Sequence, residues 1–335
     1  MRQAVDDNRP RFVCSERGHT ESWFLRANHP TEPKALWLKA TVLRRDDGEA
    51  DADAWCSLFD GERTVAVKET VPLSEAHFRD GRMIDVGASH FELDDDGGRL
   101  EGKLESERGK LEWNLSFTRS AGLGDNWCLL PSRRLVDAAF PKNKLLTPTA
   151  LARFDGNVTW DGEDWPVDGW WGMQGHNWGA GHAPAYAWGH CVFVDAHGEP
   201  FCVVEGASGK LKLGKRMSPF ISLLSVRHGG HEYRFDKLVD LWRQKPHVDF
   251  PEWTLRIRGS SGEASITMRA DPDRMVCLGY ENPDRQLSYC LNSKTAAVTL
   301  RVNPVNEEAF ECISECGGAL EFLQTTLEPR VGPVC

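Results

Sequence analysis

Alternation with a period of two residues is the feature that most restricts how this chain can fold. In Leu111-Glu112-Trp113-Asn114-Leu115-Ser116-Phe117 every second residue is apolar, the pattern of a strand with one buried face. Shorter runs of the same kind recur at 35–42, 64–67, 187–194, 201–204, 220–226, 253–257, 264–268 and 297–302. Turn signals separate them, among them Asp46-Asp47-Gly48, Asp60-Gly61, Asp96-Gly97-Gly98, Asp155-Gly156, Asp161-Gly162, His228-Gly229-Gly230 and Ser261-Gly262. Helical signals are few, the best lying over 130–139. The expected fold class is therefore all-β, with many short antiparallel strands closing into barrels or sandwiches. The 335 residues suit two domains at roughly 100–200 residues each. Each half is long enough for a barrel of about eight strands, wide enough inside for one small ligand, and closure would remove exposed sheet edges. No linker of Ser, Gly and Pro marks a boundary, so the Gly- and Trp-rich stretch 165–188 is the expected junction.

Charge and composition narrow the function. The formal net charge is −10, which disfavours a general nucleic-acid binder and peripheral docking on anionic membranes through a basic patch. No window approaches 18 apolar residues, so no transmembrane helix is expected. The first residues lack the apolar run of a secretory signal, and the cytoplasm is the expected compartment. Ten cysteines are too sparse for a disulfide scaffold and read as reduced, mostly buried thiols. Cys312 and Cys316 have C-x3-C spacing with no histidine nearby, which does not argue for zinc.

The informative segment is 165–188, WPVDGWWGMQGHNWGAGHAPAYAW, which holds five of the 13 tryptophans. Gly172, Gly175, Gly179 and Gly181 share it with His176 and His182, and His190 follows. Glycine at this density permits turns and close backbone approach, and tryptophan brings flat apolar area with one N–H donor. The segment is read as an irregular, aromatic-walled turn lining a ligand cavity. The blander reading is that the tryptophans plug a barrel end and the histidines satisfy backbone carbonyls. No phosphate loop, nucleophile elbow or H-E-x-x-H pair is present, and no cofactor or metal is implied. Asp161, Glu163 and Asp164 read as a solvated turn. Asp168, Asp195 and Glu205 flank or follow the aromatic cluster and are the acids to watch.

These residues resemble a known group. The run Gly172-Met173-Gln174-Gly175-His176-Asn177-Trp178-Gly179, followed by His182, Tyr186 and Trp188, resembles the lipocalin-like superfamily of AttH and the carotenoid 1,2-hydratases. That superfamily also looks related to fungal survival-factor proteins, plant tocopherol cyclase and fungal lipocalin-like Diels–Alderases. Glu21-Ser22-Trp23-Phe24-Leu25-Arg26-Ala27-Asn28, Ala35-Leu36-Trp37-Leu38-Lys39 and Pro141-Lys142-Asn143-Lys144 agree with it, and the likeness fades after about residue 205. It implies two consecutive lipocalin-like barrels, residues 12–178 and 179–335, with a hydrophobic cavity at or between them. The His-x-Trp pair of the hydratases falls on His176 and Trp178. Their downstream aromatic-x-Asp pair falls on Val203 and Glu205, where this chain departs from the pattern.

The resemblance implies an apolar, isoprenoid- or polyene-like substrate. Protonating a C=C bond needs an acid whose pKa burial has raised, here Glu205, Asp195 or Asp168. His176 would position water or accept a proton, and Trp178 would stabilise a carbocation. Trp170, Trp171, Gln174, Asn177, His182, Tyr186 and Trp188 are the expected substrate contacts. Water capture gives a hydratase and internal capture a cyclase. A non-catalytic carrier of lipid or isoprenoid and a pericyclase acting by shape are the alternatives. No facing carboxyl pair recommends a glycosidase, and the oligomeric state is open.

Overall fold

A computed structural model describes residues 3–12, 18–214 and 216–333. Among them, regular structure is almost entirely antiparallel strand, as the alternation predicts. The Leu111–Phe117 pattern lies in the strand Gly109–Arg119, where Leu111, Trp113, Leu115 and Phe117 are buried and the residues between them are not.

Two curled sheets repeat one plan. In the first, His19–Asn28 pairs on one side with Ala35–Arg44 and on the other with Glu163–Gly179, the last strand of the unit. Ala50–Phe59 and Thr64–Pro72 extend one wing; Lys144–Trp160 and a meander back to His77–Arg79 extend the other. The curl brings Thr64–Pro72 alongside Gly97–Ser106, as a lipocalin-like barrel requires. In the second sheet the opening strand Tyr186–Val194 likewise pairs with the closing strand Phe310–Gln324. Pro200–Gly209 continues one wing and Leu287–Pro304 the other. Each sheet wraps its own core, one around Trp23, Leu25, Phe91 and Phe154, the other around Phe193, Trp253, Leu291 and Leu300.

Period-two alternation also supplies a third apolar layer. Along His19–Asn28, Trp23, Leu25 and Ala27 enter the first core, which turns Phe24, Arg26 and Asn28 outward. Those outward positions meet the outward face of the second sheet, where Phe24, Trp37, Trp55, Met173, Trp188 and Tyr280 belong to one buried cluster. Arg26 donates across the junction to the Gly317 carbonyl at 3.2 Å, and at its edge Arg45 grips Glu281 with two 2.8 Å bonds.

Two expectations about local structure change. The 165–188 segment is no irregular turn: residues Glu163–Gly179 form one 17-residue strand. Its glycines serve close strand packing instead. A Cβ on Gly172 would lie 1.8 Å from the Arg26 carbonyl oxygen, and one on Gly175 would lie 2.3 Å from the Phe24 ring. The helix expected over 130–139 is only the 3-10 turn Arg133–Leu135. Pro131 and Pro141 bracket the segment, and the Lys144 ammonium takes the carbonyls of Leu135 and Ala138 that would have continued a helix. The cysteines among the described residues are free thiols and all but Cys316 are buried; Cys14 and Cys335 lie outside the described residues. No helix among the described residues is long and apolar enough to cross a membrane.

Candidate functional site between the barrels

The expected site residues are divided between the two sheets, some inside the first barrel and some in the layer between the barrels. His176 faces into the first barrel and is fully buried. Its Nδ1 donates to the Asp7 carbonyl at 2.5 Å and its Nε2 meets the Glu21 carboxylate at 2.8 Å. Both neighbours offer acceptor oxygens to the ring. Trp23 stacks on one side of the ring at 4.7 Å, and Trp178 lies at 4.8 Å, its own ring under the Arg11 guanidinium at 5.0 Å. Glu21 also accepts from the backbone N–H of Arg11 and Phe12 and from His19. Burial alone would raise the Glu21 pKa, but hydrogen bonds from His176 and His19, with their charge, bring it down to about 2. Gln174 completes the arrangement, exchanging amide bonds with Asn8 at 2.8 and 3.1 Å. His176, Trp178, Glu21 and Gln174 thus hold residues 3–12, an N-terminal strap beginning with the helix Gln3–Asp7, across the barrel mouth. Two surface clefts of about 490 and 640 Å³ are lined in part by strap residues, the first by Val5, Asp6, Arg9 and Pro10 and the second by Phe12.

Glu205 is elsewhere. Strand Pro200–Gly209 sends Cys202 and Val204 into the second core, so Glu205 points out toward the first barrel. It is fully buried; the Thr147 hydroxyl donates to one oxygen at 2.7 Å and the Trp188 indole to the other at 3.1 Å. Burial pushes its pKa up to about 7, against the opposing pull of those two donors and of the Arg227 and Arg26 charges. Desolvation wins because two neutral donors only partly replace water around a carboxylate. Beside it the Arg26 guanidinium bonds His190 Nδ1, and His190 Nε2 donates to the Ala150 carbonyl at 3.0 Å. Burial and the Arg26 charge hold His190 well below the usual histidine range, so it is a neutral brace.

The same layer continues across Trp188. Lys294 lies 5.7 Å from the Trp188 ring and 5.3 Å from the Trp37 ring, and pairs with Glu321 at 2.6 Å. Lys39 lies 4.0 Å above the Tyr280 ring, and burial pushes its pKa down to about 8. His182 stacks on Tyr280 at 5.1 Å and shares Asn282 through its backbone and ring. Burial, then the Lys39 charge, lowers its pKa to about 4. His182 and Tyr186 are half-buried and form the solvent side of this layer.

The remaining expected residues are dispersed. Trp171 faces the second barrel, its indole donating to the Gly198 carbonyl at 2.8 Å, whereas Trp170 sits in the first core. Asn177 accepts from the Ser22 hydroxyl at 2.7 Å. Asp195 does not join any of them: it lies in the exposed turn 195–199 and accepts from the backbone N–H of His197 and Glu199. Those backbone bonds hold it below the ordinary carboxylate range, the reverse of what a proton donor needs. Asp168 is likewise exposed, paired with Arg153. Missed altogether were Glu21, Lys39, Lys294, Tyr280 and Glu321. Lys39 and Glu321 did carry a signal, since each is a lone charge in a run apolar on both alternations, the mark of a strand buried on both faces.

No known protein-family profile matches the chain. It is 24% identical over 291 residues to an uncharacterized protein of Mycobacterium tuberculosis, found in two strains, covering 85% of this chain and 82% of that one. Among solved structures it resembles an AttH from Nitrosomonas europaea (TM-score 0.59, 13% identity, 92% of this chain and 93% of that one). It also resembles kievitone hydratase from Nectria haematococca (TM-score 0.52, 10% identity, 96% and 93%) and CghA in complex with Sch210972 (TM-score 0.51, 13% identity, 92% and 89%). These neighbours match the superfamily that the His-Asn-Trp-Gly run resembles, and at such identities the likeness is one of fold.

Proposed function

We propose that the protein binds an apolar, isoprenoid- or polyene-like small molecule between its two barrels and catalyses acid-initiated hydration or cyclisation of a C=C bond. The observation that carries this reading is Glu205, a fully buried carboxyl whose pKa, near 7, leaves a large share of it protonated at neutral pH. The protonated carboxyl gives its hydrogen to one alkene carbon, leaving a carbocation on the other. The Thr147 and Trp188 donors then stabilise the carboxylate left behind, and the indole beside it attracts the cation at roughly 0.5–2 kcal/mol. Water adds to the cation and returns a proton to Glu205, giving the hydrated product. Capture by a second double bond of the same substrate, with loss of a proton to Glu205, gives a ring instead. The fold neighbours include one hydratase and one protein solved with a small molecule, which supports small-molecule chemistry on this fold. His176 and Trp178 enter the reading as residues that hold the strap.

A non-catalytic carrier has no use for a neutral buried carboxyl, and a shape-driven pericyclase would tolerate its loss. Candidate prenyl and polyene compounds incubated with the protein in D2O should gain one D2O, or isomerise with deuterium incorporation. Glu205→Gln should lower that rate by at least ~10²-fold, the low end of general-acid contributions, while ligand binding persists. Equal turnover by Glu205→Gln would refute the acid mechanism.

A further inference from the structure

Lys39 is a buried cation without a counter-ion. It is 6% exposed, and its ammonium makes no hydrogen bond or ion pair with any described residue; its close neighbours are the faces of Tyr280 at 4.0 Å and Trp37 at 5.5 Å. Of the two carboxylates whose charge reaches it, Glu321 is already engaged by Lys294 at 2.6 Å and by the Asn292 amide at 3.2 Å, and Asp53 by the hydroxyls of Thr41 at 2.9 Å and Thr70 at 2.6 Å. The Lys39 ammonium is thus a positive charge with no carboxylate in contact in a desolvated layer, an expensive arrangement unless something else pairs with it. The aromatic faces compensate only in part. The two aromatic neighbours add a second observation. The Trp37 indole N–H is buried and lacks a hydrogen-bond partner among the described residues, and the buried Tyr280 hydroxyl has only the Cys290 thiol, a weak partner, beside it. A buried donor left unmade costs more than a formed bond returns. Three donors, one of them charged, therefore share this layer with no oxygen acceptor bonded to any of them among the described residues.

Resting on the inter-barrel site proposed above, we infer that its ligand carries an acidic oxygen (a carboxylate, enolate or phenolate) that pairs with the Lys39 ammonium and accepts from Tyr280 or Trp37. The apolar remainder runs past Trp37 and Lys294 to Trp188 and Glu205. The acidic group lies next to Tyr280 and half-buried His182, the side from which solvent reaches the layer, and the reacting double bond lies at the deeper end. Lys39 is on this account a binding residue that sets the orientation of the substrate.

Fluorescence titration of the full chain with cis-parinaric acid, a conjugated polyene carboxylic acid, against its methyl ester tests the inference. The wild-type chain should bind the acid at least tenfold more tightly than the ester. Lys39→Met should bring the acid down to the ester's affinity and leave the ester unchanged, and Tyr280→Phe should remove about threefold of the preference. Equal binding of acid and ester by the wild-type chain, or a preference that survives Lys39→Met, overturns the inference while leaving the proposed inter-barrel site standing. Binding of neither probe overturns the inter-barrel site and this inference together. The acid-ester comparison needs no variant, so misfolding of Lys39→Met does not remove the test.

Discussion

The mouth of the first barrel and the layer between the barrels each bury a glutamate beside a tryptophan and a histidine, and treat it in opposite ways. Glu21 receives two backbone N–H groups and two imidazoles, so its charge is better solvated than in water and its pKa falls to about 2. Glu205 receives one hydroxyl and one indole, and burial raises its pKa to about 7. The first network is complete and spends its polarity on fixing residues 3–12. The second holds a carboxyl that can change protonation near neutral pH, in a layer that also buries the Lys39 ammonium and the Trp37 indole N–H without hydrogen-bond partners among the described residues. Completeness is what distinguishes a brace from a site.

The largest expected effect is at the brace. Glu21→Ala strands two backbone donors and two imidazoles and should cost about 3–5 kcal/mol in urea unfolding at pH 7, the range for breaking a buried ionic network; a loss below 1 kcal/mol would put Glu21 among ordinary surface acids. The two glutamates also give opposite pH dependences. Glu21, lowered from 4.5 to about 2, contributes stability that is present above pH 4.5 and lost as pH falls toward 2, about 3 kcal/mol at 1.36 kcal/mol per unit. Glu205, raised from 4.5 to about 7, favours the fold below pH 4.5, and that contribution is lost as pH rises through 7. Thermal melts of Glu205→Gln from pH 5 to 8 should therefore be flatter than wild type, with the variant the more stable at pH 8. A variant less stable than wild type at pH 8 would show the carboxylate itself to be favourable there. Next in size, Lys39→Met should raise stability by about 1–2 kcal/mol, since an unpaired buried charge gives way to an apolar side chain of similar length; destabilisation would reveal a partner for the ammonium. The smallest effect is Trp178→Phe, which keeps an aromatic face between His176 and Arg11 and should cost less than about 1.5 kcal/mol, read as a shift in the urea midpoint.

Much of the fold was legible in local pattern. Alternation gave the strands, Asp-Gly and Gly-Gly pairs gave the turns, and the His-Asn-Trp-Gly run pointed to a superfamily whose two-barrel plan the sheets follow. The site was legible only in pieces. Glu205 could be singled out because it follows the aromatic cluster and falls where the hydratases carry an acid, but His176 and Trp178, named with it, face the other side of the wall. A strand's side chains alternate between faces, and which face is the barrel interior depends on the curl of the whole sheet. Asp195 looked equivalent to Glu205 until the hairpin placed it in solvent. Lys39 was visible only as a charge in an apolar run, because its environment is built by Tyr280, far along the chain and on the other sheet.

The sequence by itself therefore determined the all-β class and many of the strand positions, since these rest on periodicity and turn chemistry that neighbouring residues carry, while the doubling of the barrel followed from chain length and the family resemblance. Only the tertiary structure decided which buried polar groups found partners and which did not. Desolvation and hydrogen-bond satisfaction are properties of surroundings assembled from both sheets, and those surroundings make Glu21 a fixed anion, Glu205 an acid and Lys39 an ammonium awaiting a counter-ion.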